Sequence, residues 1–196
     1  YELGQLADAM NAMSAGLAER DRVRDLLDKN VSPEVAAQLL RDGAALGGQE
    51  RDVTILFADL RGFTTLSERL SAPELLTLLN RYLDRMSGEI EAQGGVIDKF
   101  IGDGIMALWV APVEHIDDAR RAVACGVSMV ACDHAFNERR AAQGKPPLRV
   151  GIGIHTGMAM VGNIGAPEKM EYTAMGDTVN RASRIESANK QYGTQL

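Results

Sequence analysis

The chain has 196 residues, of which 24% are charged and 5% aromatic, and its formal net charge is −6. This length accommodates one catalytic domain with an appended segment and is sufficient to bury a hydrophobic core. The acidic balance and the lack of a basic stripe argue against nucleic acid as a partner. No run of 18 apolar residues is present, so no segment is predicted to cross a membrane.

Residues 1–27 are predicted to form a parallel coiled coil. Apolar side chains follow the 3–4 spacing of a heptad seam at Leu3, Leu6, Met10, Met13 and Leu17. An amphipathic helix that packs on its own domain is the alternative, but no neighbouring segment offers a partner face. Residues 2–13 also resemble the second helix of a HAMP linker, the parallel four-helix module between membrane receptors and cytosolic outputs. The resemblance implies an upstream sensor and places the rest of the chain on the cytoplasmic side of an inner-membrane protein.

Residues 28–50 are predicted to be a signal-transducing helix and a linker. Ser32 can be the N-cap of this helix and Pro33 its first residue. Gly43 is predicted to end it, and residues 43–51 to form the linker. A catalytic domain is then expected over residues 51–196.

From Asp52 the hydrophobic pattern changes to that of an α+β domain. A strand is predicted at 53–58, a helix at 73–92, and a hairpin from strands 96–101 and 105–110. A long helix at 117–140 is predicted to bury Cys125 and Cys132 as reduced thiols. A second hairpin is predicted from strands 148–155 and 158–164, followed by a helix at 178–190 capped by Asp177. This order predicts a ferredoxin-like βαββαβ sandwich.

Two aspartates are predicted to converge at one edge of this sheet. Asp59 ends the first strand, and Asp103 lies in the Gly102-Asp103-Gly104 turn of the central hairpin. Each residue alone has an ordinary structural explanation. If the hairpin adjoins the first strand, however, the two carboxylates meet, and Mg²⁺ bound to a triphosphate prefers such hard oxygen ligands.

Two further motifs are typical of phosphate chemistry. Gly62, Phe63 and Thr64 open a short helix whose free N–H groups can bind phosphate. Asn180 and Arg184 are four residues apart on one helix, so they face the same way. A solvated polar face is the alternative for this second pair.

Four ordered blocks of the sequence resemble the signature blocks of class III adenylyl and guanylyl cyclase catalytic domains. They are residues 53–65, 98–109, 148–165 and 172–186. The resemblance implies that Asp59, Asp103 and the backbone carbonyl of Leu60 bind two Mg²⁺ or Mn²⁺ ions per site. It also implies that catalytic domains pair head to tail as a homodimer, so that each active site draws residues from both subunits.

The same resemblance implies how the nucleotide is held. Lys99 and Thr173 match the pair that reads the purine, and Arg149 matches an arginine that approaches the phosphates. Asn180 and Arg184 match the pair that positions the ribose and stabilises the transition state. The implied reaction is conversion of ATP to 3′,5′-cyclic AMP and pyrophosphate.

The choice of ATP depends on hydrogen-bond complementarity. Adenine offers an acceptor at N1 and a donor amino group at C6, which a lysine donor and a threonine acceptor complement, whereas guanine reverses both positions. A guanylyl or dual-purine cyclase, a catalytically silent module on the cyclase fold and a diguanylate cyclase are the alternatives. The chain has a matching residue at each of the family's active-site positions, which argues against a catalytically silent module. Residues 101–104 lack the Gly-Gly-Asp/Glu-Glu-Phe turn of diguanylate cyclases, which argues against that class.

Comparison with the family also predicts that the domain continues beyond Leu196. Further strands and a second phosphate-contacting lysine are expected there. A polypeptide that ends at Leu196 is therefore expected to fold but to have poor activity.

Overall fold

The computed structural model describes residues 13–14, 16–19, 46–110, 116–166 and 168–196. The chain divides into two compact units, Tyr1–Ala44 and Ala45–Leu196. In the first unit, residues 13–14 and 16–19 are helical, and Met13 and Leu17 of the predicted seam are exposed. The remaining positions of the seam and the helix predicted to begin at Ser32 lie outside the described residues.

The described part of the second unit is an antiparallel sheet covered by helices on both faces. In chain order its elements are β1 (Gly47–Arg61), α1 (Phe63–Ser67), α2 (Ala72–Ala92), β2 (Val96–Ile101), β3 (Gly104–Trp109), α3 (Asp118–Ala142), β4 (Arg149–Ala166), β5 (Lys169–Met175) and α4 (Asp177–Tyr192). The strand order is β2-β3-β1-β4-β5. The first four strands with α2 and α3 form the βαββαβ arrangement, so the predicted fold class is confirmed.

Each face of the sheet has its own hydrophobic core. The core under α2 and α3 includes Leu56, Trp109 and Ile152 from the sheet, packed against Ile90 and Met129 of the two helices. The core on the α4 face is built from alternate sheet positions and the helix: Val53, Ile55, Met106, Val161 and Ala182. This alternation is the two-residue period of a strand that is buried on both sides.

The prediction of a second hairpin at 148–155 and 158–164 is wrong. β4 runs without interruption from Arg149 to Ala166, because β1 is long enough to pair with it from Arg61 to Gly47. Gly157, which falls between the two predicted strands, lies opposite Val53, and a Cβ at this glycine would come 3.1 Å from Thr178 Oγ1. The glycine therefore permits close approach of α4, and β4 instead pairs with the unpredicted strand β5.

Two smaller predictions also need correction. Residues 47–51, assigned to a linker, are the exposed start of β1 and pair with β4 from Ala159 to Asn163. Asp177 does not cap α4: the N-cap is Gly176, and Asp177 is the first helical residue, where it pairs with Arg181 at 2.6 Å. The carboxylate in the first turn still interacts favourably with the helix dipole.

The buried cysteines agree with their prediction. Cys125 and Cys132 are both free thiols inside α3. Burial raises the pKa of Cys125 to about 12, so this side chain stays a neutral thiol. Among the described residues, no helix has both the length and the apolar character needed to span a bilayer.

Gly153 on β4 lets α4 pack directly on the sheet, and its replacement is expected to be costly. A Cβ at Gly153 would lie 2.2 Å from the amide nitrogen of Glu186 and 2.4 Å from the carbonyl oxygen of Ala182. Both atoms belong to the backbone and cannot swing aside. Gly153→Ala should therefore lower the free energy of unfolding by roughly 1–3 kcal/mol, measured by urea denaturation.

Gly88 provides the matched control for this change. It lies inside α2, and nothing comes within 4 Å of a Cβ built there. Gly88→Ala should be neutral or stabilise the protein by roughly 0.5–1 kcal/mol, because alanine is the better helix former. Equal denaturation midpoints for the two variants would show that the sheet and helix are not in close contact at Gly153.

Candidate active site

The two aspartates predicted to converge do lie together. β1 pairs with β3 such that Ala58 is opposite Ile105, which places the β2–β3 turn beside Asp59. The amide of Leu60 donates a hydrogen bond to Asp103 Oδ2 at 3.2 Å. The Asp59 carboxylate is close enough to Asp103 for its negative charge to raise the pKa of that group. We call Asp59 and Asp103 the acid pair.

Among the described residues, the acid pair has only a weak cationic partner. Burial raises the pKa of Asp103 to about 6, and the negative charge of Asp59 adds to this rise. The nearest described cation is Lys190 of α4, whose Nζ lies 3.9 Å from Asp59 Oδ2, and this contact is half-exposed. Two adjoining carboxylates of this kind are held together most favourably by a divalent cation.

The donor set fits Mg²⁺ or Mn²⁺ bound together with a phosphate. Mg²⁺ is usually held by one or two carboxylates, and substrate oxygens and water complete its octahedron. The acid pair and the nearby carbonyl of Leu60 provide such a partial set. In the described part of the chain, no cluster of three or more His, Cys, Asp or Glu side chains could hold a metal by itself.

The turn that follows Asp59 can accept an anion. Gly62 adopts a φ of 72°, a left-handed conformation that favours glycine, and it is the N-cap of α1. A Cβ at Gly62 would meet nothing within 4 Å, so the approach to this turn is open. Phe63 and Thr64 are the first two helical residues, whose amides have no partner inside a helix.

Arg149 lies at the same end of the sheet. It pairs with Arg61, two positions along from the pair formed by Asp59 and Gly151. Arg149 is exposed, whereas one Arg61 nitrogen donates to the carbonyl oxygen of Thr194. The acid pair, the α1 turn and Arg149 thus bring two carboxylates, the first amides of a helix and a guanidinium to one sheet edge.

A second group of polar residues lies where the outer strands β2 and β5 meet. Lys99 Nζ is 2.5 Å from Glu171 Oε2 and 3.9 Å from Asp98 Oδ2. The Thr173 hydroxyl donates to Asp98 Oδ2 at 2.6 Å. We call Asp98, Lys99, Glu171 and Thr173 the Asp98 cluster. The sheet curls enough for its two edge strands to bring these side chains together.

The charges of the Asp98 cluster influence one another. Burial raises the pKa of Asp98, although the Thr173 hydrogen bond and the charge of Lys99 oppose this effect. Desolvation acts to lower the pKa of Lys99, but the bond to Glu171 and the charge of Asp98 outweigh it, so the pKa is raised. Lys99 is therefore a charged hydrogen-bond donor, and Glu171 is its half-exposed counterion.

Asn180 and Arg184 lie on the outer face of α4. The buried face of this helix consists of Thr178, Ala182, Glu186 and Asn189. Asn180 and Arg184 are each two residues from members of that stripe, so they point to solvent, and both are exposed. Neither side chain is bonded to another described residue.

Sequence reasoning missed three residues that contact the predicted site. Asp98 and Glu171 were not assigned because neighbouring positions on a regular strand face opposite ways, and β5 was not predicted. Lys190 was missed because its approach to Asp59 depends on how α4 lies on the sheet. Only the adjacency of Asp98 to Lys99 could have served as a signal.

Comparison with known proteins identifies this arrangement. Residues 48–195 match the adenylate and guanylate cyclase catalytic domain family. The chain belongs to this family. The chain is 42% identical over 168 residues to adenylate cyclase 1 of Rhizobium meliloti (strain 1021), a match that covers 83% of the chain and 25% of that protein. The chain thus spans only a fraction of the length of this relative.

Two solved structures resemble the cyclase domain over comparable lengths. The adenylyl cyclase CyaB from P. aeruginosa shares 44% identity with a TM-score of 0.70, over 73% of this chain and 74% of that one. The guanylyl cyclase Cya2 shares 47% identity with a TM-score of 0.68, over 72% of each chain. Similarity of this kind establishes the fold and the family but does not separate ATP from GTP as the substrate.

Proposed function

We propose that the cyclase domain converts ATP to 3′,5′-cyclic AMP and pyrophosphate. The observation that carries this proposal is the Asp98 cluster, in which Lys99 and Thr173, from opposite edges of the sheet, both approach Oδ2 of Asp98. A lysine donor complements N1 of adenine, and a threonine acceptor complements its 6-amino group. Guanine presents the opposite donor and acceptor at these positions, and a site built for one edge rejects the other because buried polar groups stay unpaired.

The reaction is an in-line attack of the ribose 3′-oxygen on the α-phosphorus. The 3′-hydroxyl releases its proton, a 3′-oxygen–phosphorus bond forms, the bond between the α-phosphorus and the oxygen that bridges to the β-phosphate breaks, and pyrophosphate leaves. The acid pair and the Leu60 carbonyl would hold two Mg²⁺ or Mn²⁺ ions, which supply charge neutralisation and activation of the hydroxyl when bound. The triphosphate would be bound by Gly62, Phe63, Thr64 and Arg149. Asn180 would position the ribose, and Arg184 would stabilise charge on the transferred phosphoryl group.

The active form is proposed to be a homodimer. Arg184 and Asn180 are exposed and unpaired in the described part of one chain, so another subunit can bring them to the acid pair. Large apolar side chains are also exposed on β2, β4 and β5: Phe100, Ile101, Met158, Met160 and Met175. Exposed apolar patches on a protein surface often mark an interaction site.

Substrate preference provides the direct test. The purified protein should form cyclic AMP from ATP much faster than cyclic GMP from GTP in Mg²⁺ or Mn²⁺. Thr173→Val removes the hydroxyl with little change in volume, and it should lower kcat/KM for ATP by about 10- to 100-fold, because a buried hydrogen bond is lost. The value for GTP should fall far less. A wild-type protein that prefers GTP would instead assign it to the guanylyl cyclases, in line with its similarity to Cya2.

The N-terminal segment is proposed to regulate the dimer as a parallel coiled coil of the HAMP type, below an upstream sensor at the inner membrane. The exposure of Met13 and Leu17, four residues apart on one helical face, supports this role. A coiled coil would fix the relative rotation of the two catalytic domains.

Insertions near Glu19 test this regulatory role. Two added residues rotate the downstream helix by about 200°, whereas seven nearly restore its phase. Cyclase activity should therefore change sharply with two residues and little with seven. Equal effects of the two insertions on cyclase activity would show that the segment only links the catalytic domain to what precedes it and does not set its rotation.

A further inference from the structure

One buried carboxylate lies behind both proposed purine-reading side chains. The Asp98 side chain is only 1% exposed. Its Oδ2 accepts the Thr173 hydroxyl hydrogen at 2.6 Å and lies 3.9 Å from Lys99 Nζ. Its Oδ1 is buried and has no partner among the described residues. Asp98 is thus held in an unfavourable environment for a carboxylate, and its one strong contact is with Thr173.

A local irregularity in β2 directs Asp98 to this position. Ile97 pairs with Ala107 and Lys99 with Met106, so Asp98 is an extra residue without a partner on β3. In a regular strand, Asp98 and Lys99 would point to opposite faces of the sheet. The bulge lets both approach β5, where Glu171 and Thr173 share a face. Bulges commonly re-aim side chains in this way next to active sites.

The direction of the Asp98–Thr173 hydrogen bond determines what Thr173 can offer a ligand. A threonine hydroxyl has one hydrogen and two lone pairs, so by itself it can donate or accept. Once its hydrogen is given to the Asp98 carboxylate, which cannot donate when ionised, only the lone pairs remain for another group. Thr173 then becomes an obligatory acceptor.

We propose that Asp98 is the positioning residue that fixes Thr173 as an acceptor and so sets the preference for a 6-amino over a 6-oxo purine. This inference rests on the proposed role of Thr173 in reading the purine. The amino group of adenine can donate to the remaining lone pair, whereas the 6-oxygen of guanine would face an oxygen with no hydrogen to give. Without Asp98, a threonine could rotate its hydroxyl and accept either base.

Asp98→Asn tests the proposal because the neutral asparagine has one accepting oxygen where the carboxylate has two, and an N–H₂ turned toward Thr173 leaves the hydroxyl hydrogen free for a ligand. The ratio of kcat/KM for ATP to that for GTP should fall by roughly tenfold or more. The change should lie mainly in KM for the two nucleotides, because the affected contact binds the base rather than the reacting phosphorus. In a Thr173→Val background, Asp98→Asn should leave the ratio unchanged.

Asp133→Asn is the matched control. Asp133 is also a buried aspartate, 1% exposed, but it is bonded to Gln195 and has no contact with the Asp98 cluster. Its replacement should alter the stability of the protein and leave the ratio of ATP to GTP use at the wild-type value. A purely structural role for Asp98 predicts that the two variants behave alike.

Inosine triphosphate provides a test on the wild-type protein that does not depend on the folding of a variant. It has the 6-oxygen of guanine but lacks the 2-amino group. If Thr173 is an obligatory acceptor, the wild-type protein should discriminate against inosine triphosphate as strongly as against GTP. Asp98→Asn should weaken the discrimination against both nucleotides.

The outcomes separate the two proposals. Loss of ATP preference in Thr173→Val together with an unchanged ratio in Asp98→Asn would overturn the role of Asp98 and leave the proposed function standing. Wild-type use of inosine triphosphate at the rate of ATP would also overturn that role. A wild-type protein without preference between ATP and GTP would overturn both.

Discussion

Replacement of Asp103 by asparagine is expected to lower cyclase activity by at least about a hundredfold while leaving the metal-free protein at least as stable as the wild type. Metal ions supply several kcal/mol of transition-state stabilisation, and each 1.36 kcal/mol corresponds to a tenfold change in rate. Asp103→Asn keeps the shape of the side chain but removes one of the two charges that hold the metals. Initial rates with Mg²⁺ and Mn²⁺ measure the loss.

The expected effect on stability follows from the pKa of Asp103. Because its pKa in the folded protein, about 6, is above that of an ordinary aspartate, the group favours the folded state at low pH. That contribution is lost as pH rises through the range from about 4 to 6. At pH 7 without metal, Asp103→Asn should therefore have a Tm equal to or above that of the wild type. Added Mn²⁺ should raise the Tm of the wild type but not that of the variant.

Asp52→Asn is the control for this pair of measurements. Asp52 is an exposed residue of the same strand as Asp59, and the substitution makes the same chemical change. Its activity and its response to Mn²⁺ should match those of the wild type. If Asp103→Asn also keeps its activity and its stabilisation by Mn²⁺, the acid pair is not the metal site.

Two inactive variants are expected to regain activity when they are mixed. Asp59→Ala removes a metal ligand, and Arg184→Ala removes the exposed cation of α4. If each site takes its acid pair from one subunit and Arg184 from the other, a mixed dimer has one intact site and one doubly damaged site. With equal amounts and free exchange, about half of the dimers are mixed, so roughly a quarter of wild-type activity should return.

A second mixture serves as the control for complementation. Asp59→Ala and Asp103→Ala damage the same half of the site, so every site of their mixed dimer lacks one acid and activity should stay low. Subunit exchange is verified in both mixtures with differently tagged chains. No recovery from Asp59→Ala with Arg184→Ala, in a sample with proven mixed dimers, would place the whole site within a single chain.

The sequence was sufficient to predict the elements whose patterns are local. α2 begins where Ser71 and Glu74 form a capping box, and its apolar period is clear. The convergence of Asp59 and Asp103 was also predictable, because it requires only that the central hairpin adjoin the first strand. Both inferences depend on spacing within short segments and on one simple rule of strand pairing.

The errors arose where a partner far along the chain determines the structure. Thr156-Gly157 has the composition of a turn, yet the pairing of β1 with β4 continues through it, and the Thr156 hydroxyl is 2.8 Å from that of Thr54. Asp98 was missed because a bulge cannot be recognised from the composition of β2 alone. In both cases the deciding contact is more than 70 residues away.

The side-chain contacts between the two edge strands, β2 and β5, also affect the stage of folding at which the domain becomes able to bind a base. The Lys99–Glu171 and Asp98–Thr173 contacts span 72 and 75 residues of chain, so each closes a large loop. Contacts of such long range are entropically costly and slow to form. A folding chain can join Asp59 to the neighbouring hairpin well before β5 reaches β2. Base recognition is therefore expected to be acquired late, and a bound purine should protect the backbone amides of both edge strands from hydrogen exchange.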